Sequence, residues 1–214
     1  MTRQIPDTVI YKGGEYVLAG LKGKGLLTPT DLNIVTKGLA TACYRGYYCQ
    51  YSCIDNFLFL TELSVFNEPN QLPSLQGIVP SAILDMFARY QDLKIQCPFS
   101  GGLVIVKNLV APNRTLPSPL EYNEVVEIIF EQGMLQGEID YSSKVNMFRN
   151  ILDEMWGKLA NDPSELTDKL SKWISAPEQL PEEEAKKFKR YFDEKDRLEW
   201  SFVDGYEQQP PLWI

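Results

Sequence analysis

One arginine stands out among the residues that could do chemistry. Arg45 lies in the segment 41–47, which is rich in tyrosine and in residues typical of strands. A guanidinium in such a setting stacks on an aromatic ring or binds a carboxylate through two hydrogen bonds. Two interpretations follow. Arg45 forms an internal ion pair or cation–π contact that fixes a hairpin, or it recognises an anion in a pocket built with Tyr47, Tyr51 and a nearby carboxylate.

The chain contains no histidine. This excludes Ser-His-Asp and Cys-His nucleophiles, HExxH zinc proteases and any histidine general base. Carboxylate pairs, Ser-Lys dyads and magnesium sites remain open, although the sequence singles out no pair of carboxylates. We therefore assign no catalytic residue and no cofactor, and we expect a non-enzyme rather than an enzyme.

The cysteines do not form a recognisable metal motif. Their positions include no CxxC pair, so the paired thiolates of a zinc knuckle are missing and no metal site is predicted. The spacing also differs from that of secreted disulfide scaffolds, which predicts reduced thiols. The four positions are Cys43, Cys49, Cys53 and Cys97.

The formal net charge is −8 and the pI is about 4.7. Such an acidic chain repels nucleic acids and anionic lipids, and it suits a basic protein partner. The sequence has no apolar run long enough to span a bilayer, and its first residues lack the layout of a signal peptide. These observations predict a cytoplasmic protein that binds neither membranes nor nucleic acid.

Strand-forming residues dominate the chain before Asp140, and helix formers follow it. The glycine-rich segment 20–25 lacks the Lys-Ser/Thr of a phosphate-binding loop and is interpreted as an ordinary loop. Alternating apolar residues and turn signals predict a central strand and three hairpins. The strand covers 103–110, and the hairpins pair 8–11 with 15–19, 41–54 with 57–65, and 125–130 with 134–139.

Helical spacing predicts a short helix over residues 80–90 and three more helices after residue 142. We therefore expect an α+β fold, with a mainly antiparallel sheet of about six or seven strands. The predicted domains are a β-rich domain over 1–141 and a helical segment over 142–214 packed on the sheet. Trp213, in the final tail, either docks on the core or is exposed for a partner.

Several segments resemble a family of uncharacterised bacterial proteins. They are Ile-Pro-Asp-Thr-Val-Ile-Tyr-Lys-Gly-Gly-Glu-Tyr-Val-Leu at 5–18, Thr-Ala-Cys-Tyr-Arg-Gly-Tyr at 41–47, Phe-Leu-Phe-Leu at 57–60 and Pro-Phe-Ser-Gly-Gly-Leu at 98–103. The hairpin at 127–138 is also similar. Tyr51 stands where members of the family often have a tryptophan-bearing strand, and the similarity does not extend beyond Ser142. The resemblance implies no known activity, but it is compatible with an immunity-like or antitoxin-like binder.

Together these features predict a non-enzymatic, bacterial, cytosolic protein that binds another protein. Its role would be that of an immunity protein, a regulator or a subunit of a complex, acting through an aromatic sheet edge or the C-terminal helices. The alternative is a histidine-free enzyme or small-ligand binder with a pocket near Arg45. The candidate binding residues are Arg45, Tyr47, Tyr51 and Trp213, and the oligomeric state stays open.

Overall fold

The computed structural model describes residues 4–36, 41–84, 87–110 and 119–146, together with positions 149 and 182. Short 3-10 helices cover Pro29–Leu32, Pro69–Gln71 and Pro119–Glu121, and residues 142–146 are helical. The strands are β1 (Thr8–Tyr11), β2 (Gly14–Lys24), β3 (Tyr47–Ile54), β4 (Phe57–Phe66), β5 (Ser81–Leu84), β6 (Phe87–Tyr90), β7 (Ile95–Gln96), β8 (Ser100–Leu109), β9 (Tyr122–Glu131) and β10 (Met134–Asp140).

The predicted fold class is wrong. The described residues are mostly β, with ten strands in one sheet rather than the six or seven predicted, and an α-helix is found only at residues 142–146 and at positions 149 and 182. As predicted, most of the strand pairs are antiparallel. The sheet is mixed because β1 and β3 run parallel, with Val9 opposite Tyr51. Beyond residues 142–146 and the positions 149 and 182, the three predicted C-terminal helices lie outside the described residues. The division at residue 141 stays a prediction, and all ten strands belong to one compact unit that contains the chain as far as Val145.

Residues 80–90 form two strands, where the sequence predicts a helix. β6 pairs with β4 and with β5, both antiparallel, and Ala88 and Tyr90 point into the core while Phe87 and Arg89 do not. A short apolar run fits a period of 3.6 about as well as a period of two. The pairing of β6 with β4 decides in favour of strands, and β4 is not adjacent to β6 in the sequence.

The three predicted hairpins are confirmed, but β3 begins at Tyr47, so that residues 41–46 with Arg45 form turns before the strand rather than part of it. The strand predicted at 103–110 is confirmed as part of β8, which ends at Leu109. The glycine-rich segment 20–25 is not a loop, because β2 continues through it to Lys24 and pairs with β8. The strand order is β10-β9-β8-β2-β1-β3-β4-β6-β5, and β7 pairs with β4. β10 also bridges to β4 where Met134 lies opposite Phe57, so the sheet curls back on itself.

One face of the sheet carries the core. Val9, Tyr51 and Leu60 lie side by side across β1, β3 and β4, and all three side chains are almost fully buried. Because successive strand residues point to opposite faces, their neighbours in the chain form a second, outer face. No helix among the described residues is long and apolar enough to cross a membrane. The cytoplasmic location stays a prediction.

Candidate functional site

The outer face of the sheet carries two rows of mostly polar side chains. Strand register places these residues next to one another, because paired residues in a sheet project to the same face. The first row crosses β2, β1, β3 and β4 as Val17, Thr8, Gln50 and Glu62. The second row crosses β3, β4, β6 and β5 as Tyr48, Ser64, Arg89 and Ser81.

Two adjoining grooves follow these rows. The first has a volume of about 380 Å³ and is lined by residues of β2 and β8, among them Val17 and Lys107. The second has a volume of about 220 Å³ and is lined by residues of β3, β4 and β6. Pro6, Thr8 and Glu15 line both grooves. We call the combined depression the outer-face trough.

Most charges of the trough already have partners. Arg89 lies 3.9 Å from a carboxylate oxygen of Glu62, and the Lys107 ammonium lies 5.3 Å from the ring centroid of Tyr16. Glu15 is exposed, and its carboxylate makes no hydrogen bond or ion pair with any residue that the structure describes. The junction of the two grooves therefore presents a carboxylate that is available to a cation.

Aromatic side chains flank the β6 end of the trough. Phe87 on β6 lies edge-on to Phe66, with 5.0 Å between ring centroids, and its centroid is 6.1 Å from that of Tyr48. Tyr48 also lines the second groove. The outer-face trough thus combines an apolar end with one exposed carboxylate, that of Glu15, where its two grooves meet.

Arg45, the first candidate of the sequence, is held in an ion pair with Asp7. Nη2 donates to Oδ1 of Asp7 at 2.7 Å, and Nη1 donates to Oδ2 at 3.0 Å. Only 1% of the Asp7 side chain and 14% of the Arg45 side chain are exposed. Asp7 Oδ1 also accepts the backbone N–H of Cys49 at 2.8 Å. The pair joins the residues just before β1 to those at the start of β3, where two parallel strands begin.

The remaining face of the guanidinium is covered as well. Its central carbon lies 4.5 Å from the ring centroid of Tyr47. Burial lowers the pKa of Arg45, but the Asp7 carboxylate raises it by more, so the pKa lies above its ordinary value. A permanent cation that is paired and stacked in this way serves to fix the strands. This geometry favours the internal ion pair over the anion-binding pocket.

The other candidate residues are spread over different environments. The structure places Tyr47 next to Arg45. Tyr51 lies elsewhere in the core: it is 1% exposed, and its hydroxyl donates a hydrogen bond to the carbonyl oxygen of Leu27 at 2.9 Å. Burial raises the pKa of Tyr51 well above its ordinary value. Tyr51 is thus a core residue that is closed to ligands, and Trp213 lies outside the described residues.

Sequence reasoning missed two features. The sequence does not identify Asp7 as the partner of Arg45, although Asp7 belongs to the Ile-Pro-Asp start of the family resemblance. The outer-face trough was also missed, since its β6 residues fall in the segment that was predicted to be helical. The alternation of polar Glu62 and Ser64 with apolar Leu63 and Val65 was the available signal in the sequence.

No group of three or more acidic or cysteine side chains is arranged to hold a metal ion within the described part of the chain. All four cysteines are free thiols. Burial raises the pKa of each thiol, and that of Cys97 reaches about 11.

Cys53 should be the thiol that reacts first in the native protein. It is only partly buried, whereas Cys43, Cys49 and Cys97 are buried, and reaction requires an accessible thiolate. Brief treatment with iodoacetamide followed by peptide mass spectrometry should find the label at Cys53, and all four should react in urea. Equal labelling of Cys49 and Cys53 in the native state would contradict the packing described for β3.

Comparison with known proteins gave no match: no family model, no curated protein and no solved structure is significantly similar to this chain. The resemblance to the family of uncharacterised bacterial proteins therefore stays a prediction.

Proposed function

We propose that this chain is a non-enzymatic protein-binding protein, and that an extended, positively charged segment of a partner protein lies in the outer-face trough. The observation that carries the proposal is Glu15, an exposed carboxylate without a partner among the described residues, at the junction of two grooves. An ammonium or guanidinium group of the partner would form an ion pair with the Glu15 carboxylate.

The shape of the trough supports a peptide rather than a small molecule. Small-molecule sites are enclosed and bury most of their ligand, whereas the trough is open and crosses strands from β8 to β6. An extended segment contacts such a surface with alternate side chains. Its apolar residues would meet Tyr48 near the aromatic cluster, and its basic residue would meet Glu15.

The overall charge supports the same class of partner. With a net charge of −8, the protein attracts basic partners at long range and speeds their encounter. Three other charged side chains line the trough: Glu62 and Arg89 offset each other, and the Lys107 ammonium lies over the ring of Tyr16.

The alternative, a histidine-free enzyme or small-ligand pocket around Arg45, has less support. That hypothesis needs a guanidinium that is free to bind an anion. The Arg45 guanidinium is instead hydrogen-bonded to Asp7 and stacked on the ring of Tyr47.

Charge reversal at Glu15 should weaken peptide binding. Peptides selected from a random library displayed on phage against the folded protein should share a Lys or Arg. Their affinity, measured by fluorescence anisotropy, should fall at least about tenfold for Glu15→Lys, which corresponds to roughly 1.4 kcal/mol.

Glu131→Lys is the matched control, since Glu131 is also an exposed strand glutamate but lies outside both grooves. It should bind the same peptides as the unmodified protein does, apart from a small long-range effect of charge. The proposal is wrong if the library yields no binding peptide, or if both variants lose affinity equally.

A further inference from the structure

The sheet ends at β5, and no other described strand pairs with the outer edge of β5. Within the part of the chain that the structure describes, β5 pairs only with β6, and Ser81, Ala82 and Ile83 make no other hydrogen bond. Ile83 on this strand is 36% exposed, and Val79 just before it is 73% exposed. The register of β5 against β6 shifts between Ala82 and Leu84, so Ile83 has no partner residue in β6, while Ser81 and Ala82 are regularly paired. The backbone N–H and C=O groups of such an edge are available to another strand.

This edge also lacks charge. Residues 69–84 contain no Asp, Glu, Lys or Arg, and this is the longest such stretch in the chain. Native proteins usually protect exposed edges with charged side chains, because an uncharged edge recruits other strands. The opposite end of the sheet follows that rule, since β10 exposes Glu138 and Asp140 and is bridged to β4 through Met134.

We propose that β5 pairs antiparallel with β5 of a second copy of this chain, which would form a two-fold symmetric dimer. A basic partner would prefer an acidic surface, so a neutral edge on a protein of charge −8 fits a partner of the same charge. Two copies repel each other least where neither carries a charge. Pairing of identical antiparallel strands is self-complementary and closes after two copies. The exposed Ile83 and Val79 would then be covered by their symmetry mates.

Sedimentation velocity of the full chain over a range of concentrations tests this pairing. We expect a monomer–dimer equilibrium that shifts towards the dimer when salt is added, because salt screens the repulsion between the acidic copies. Ile83→Lys should raise the dimer dissociation constant at least about tenfold, since it places two cations side by side in the interface. Ile139→Lys, at the exposed β10 edge, is the matched control and should dimerise as the unmodified chain does.

Val79→Lys provides a second variant, because Val79 lies outside the strands and its replacement should leave strand pairing within the monomer intact. A monomer at every concentration of the unmodified chain would overturn the proposal. Equal dimerisation of Ile83→Lys, Val79→Lys and the control would also overturn it. Peptide binding at Glu15 is measured separately and should be unchanged in all three variants, so this inference and the proposed function can fail independently.

Discussion

Replacing Arg45 with methionine should lower the free energy of unfolding by about 3–5 kcal/mol. The substitution keeps much of the side-chain volume but leaves Asp7, which is 1% exposed, without its cation in the protein interior. The cost comes mainly from the unpaired buried carboxylate rather than from lost packing. Urea unfolding followed by the circular dichroism signal of the β-sheet, with the dependence of the unfolding free energy on urea concentration compared between variants, would give the value.

The exposed ion pair between Lys12 and Glu138 is the matched control. Its side chains are 65% and 40% exposed, so Lys12→Met should cost less than about 1 kcal/mol. The double variant Asp7→Leu/Arg45→Met should be more stable than Arg45→Met, because it removes both buried charges. If Arg45→Met costs no more than Lys12→Met, the ion pair does not fix β1 to β3 in the way described.

Replacing Gly101 with alanine should destabilise the protein by about 4 kcal/mol or more, enough to prevent stable folding. Gly101 on β8 lies opposite Gly23 on β2, with φ of +147° and +142° respectively. An added Cβ at Gly101 would lie 2.0 Å from the carbonyl oxygen of Lys22, which belongs to the backbone and cannot rotate away. The backbones of β2 and β8 would have to separate. Thermal unfolding by circular dichroism, together with the yield of folded protein, measures this effect.

Gly137→Ala is the corresponding control. Gly137 is also a strand glycine, but its φ is not positive and nothing lies within 4 Å of its added Cβ. We expect a change of less than about 1 kcal/mol. Similar melting temperatures for the Gly101 and Gly137 variants would mean that β2 and β8 do not approach as closely as described.

Local pairings could be predicted from the sequence, but distant ones could not. The hairpin between β3 and β4 is encoded by alternating residues on either side of Asp55 and Asn56, both of which have positive φ. The parallel pairing of β1 with β3 places Thr8 opposite Gln50, and no turn motif in the sequence indicates this pairing. The predicted strand count was too low because strands such as β5 and β6 are specified by their tertiary pairing, and the parallel pair of β1 and β3 was not predicted for the same reason.

The candidate site was predictable to a similar extent. The aromatic setting of Arg45 correctly indicated an ion pair or cation–π contact, and the structure has both. The identity of its partner was not predictable, since Asp7 approaches only through the parallel pairing. The outer-face trough also required the sheet order, because Thr8, Gln50 and Arg89 come from strands far apart in the sequence.

Mapping of a library-selected basic peptide by NMR tests the proposed function most directly. The backbone amide shifts of the isotope-labelled protein would be followed during titration with that peptide. Binding in the outer-face trough predicts that the largest changes fall at Thr8, Glu15, Gln50 and Ser64, and that they disappear in Glu15→Lys. Changes that instead centre on β9 and β10, or that persist unaltered in Glu15→Lys, would contradict the proposed function.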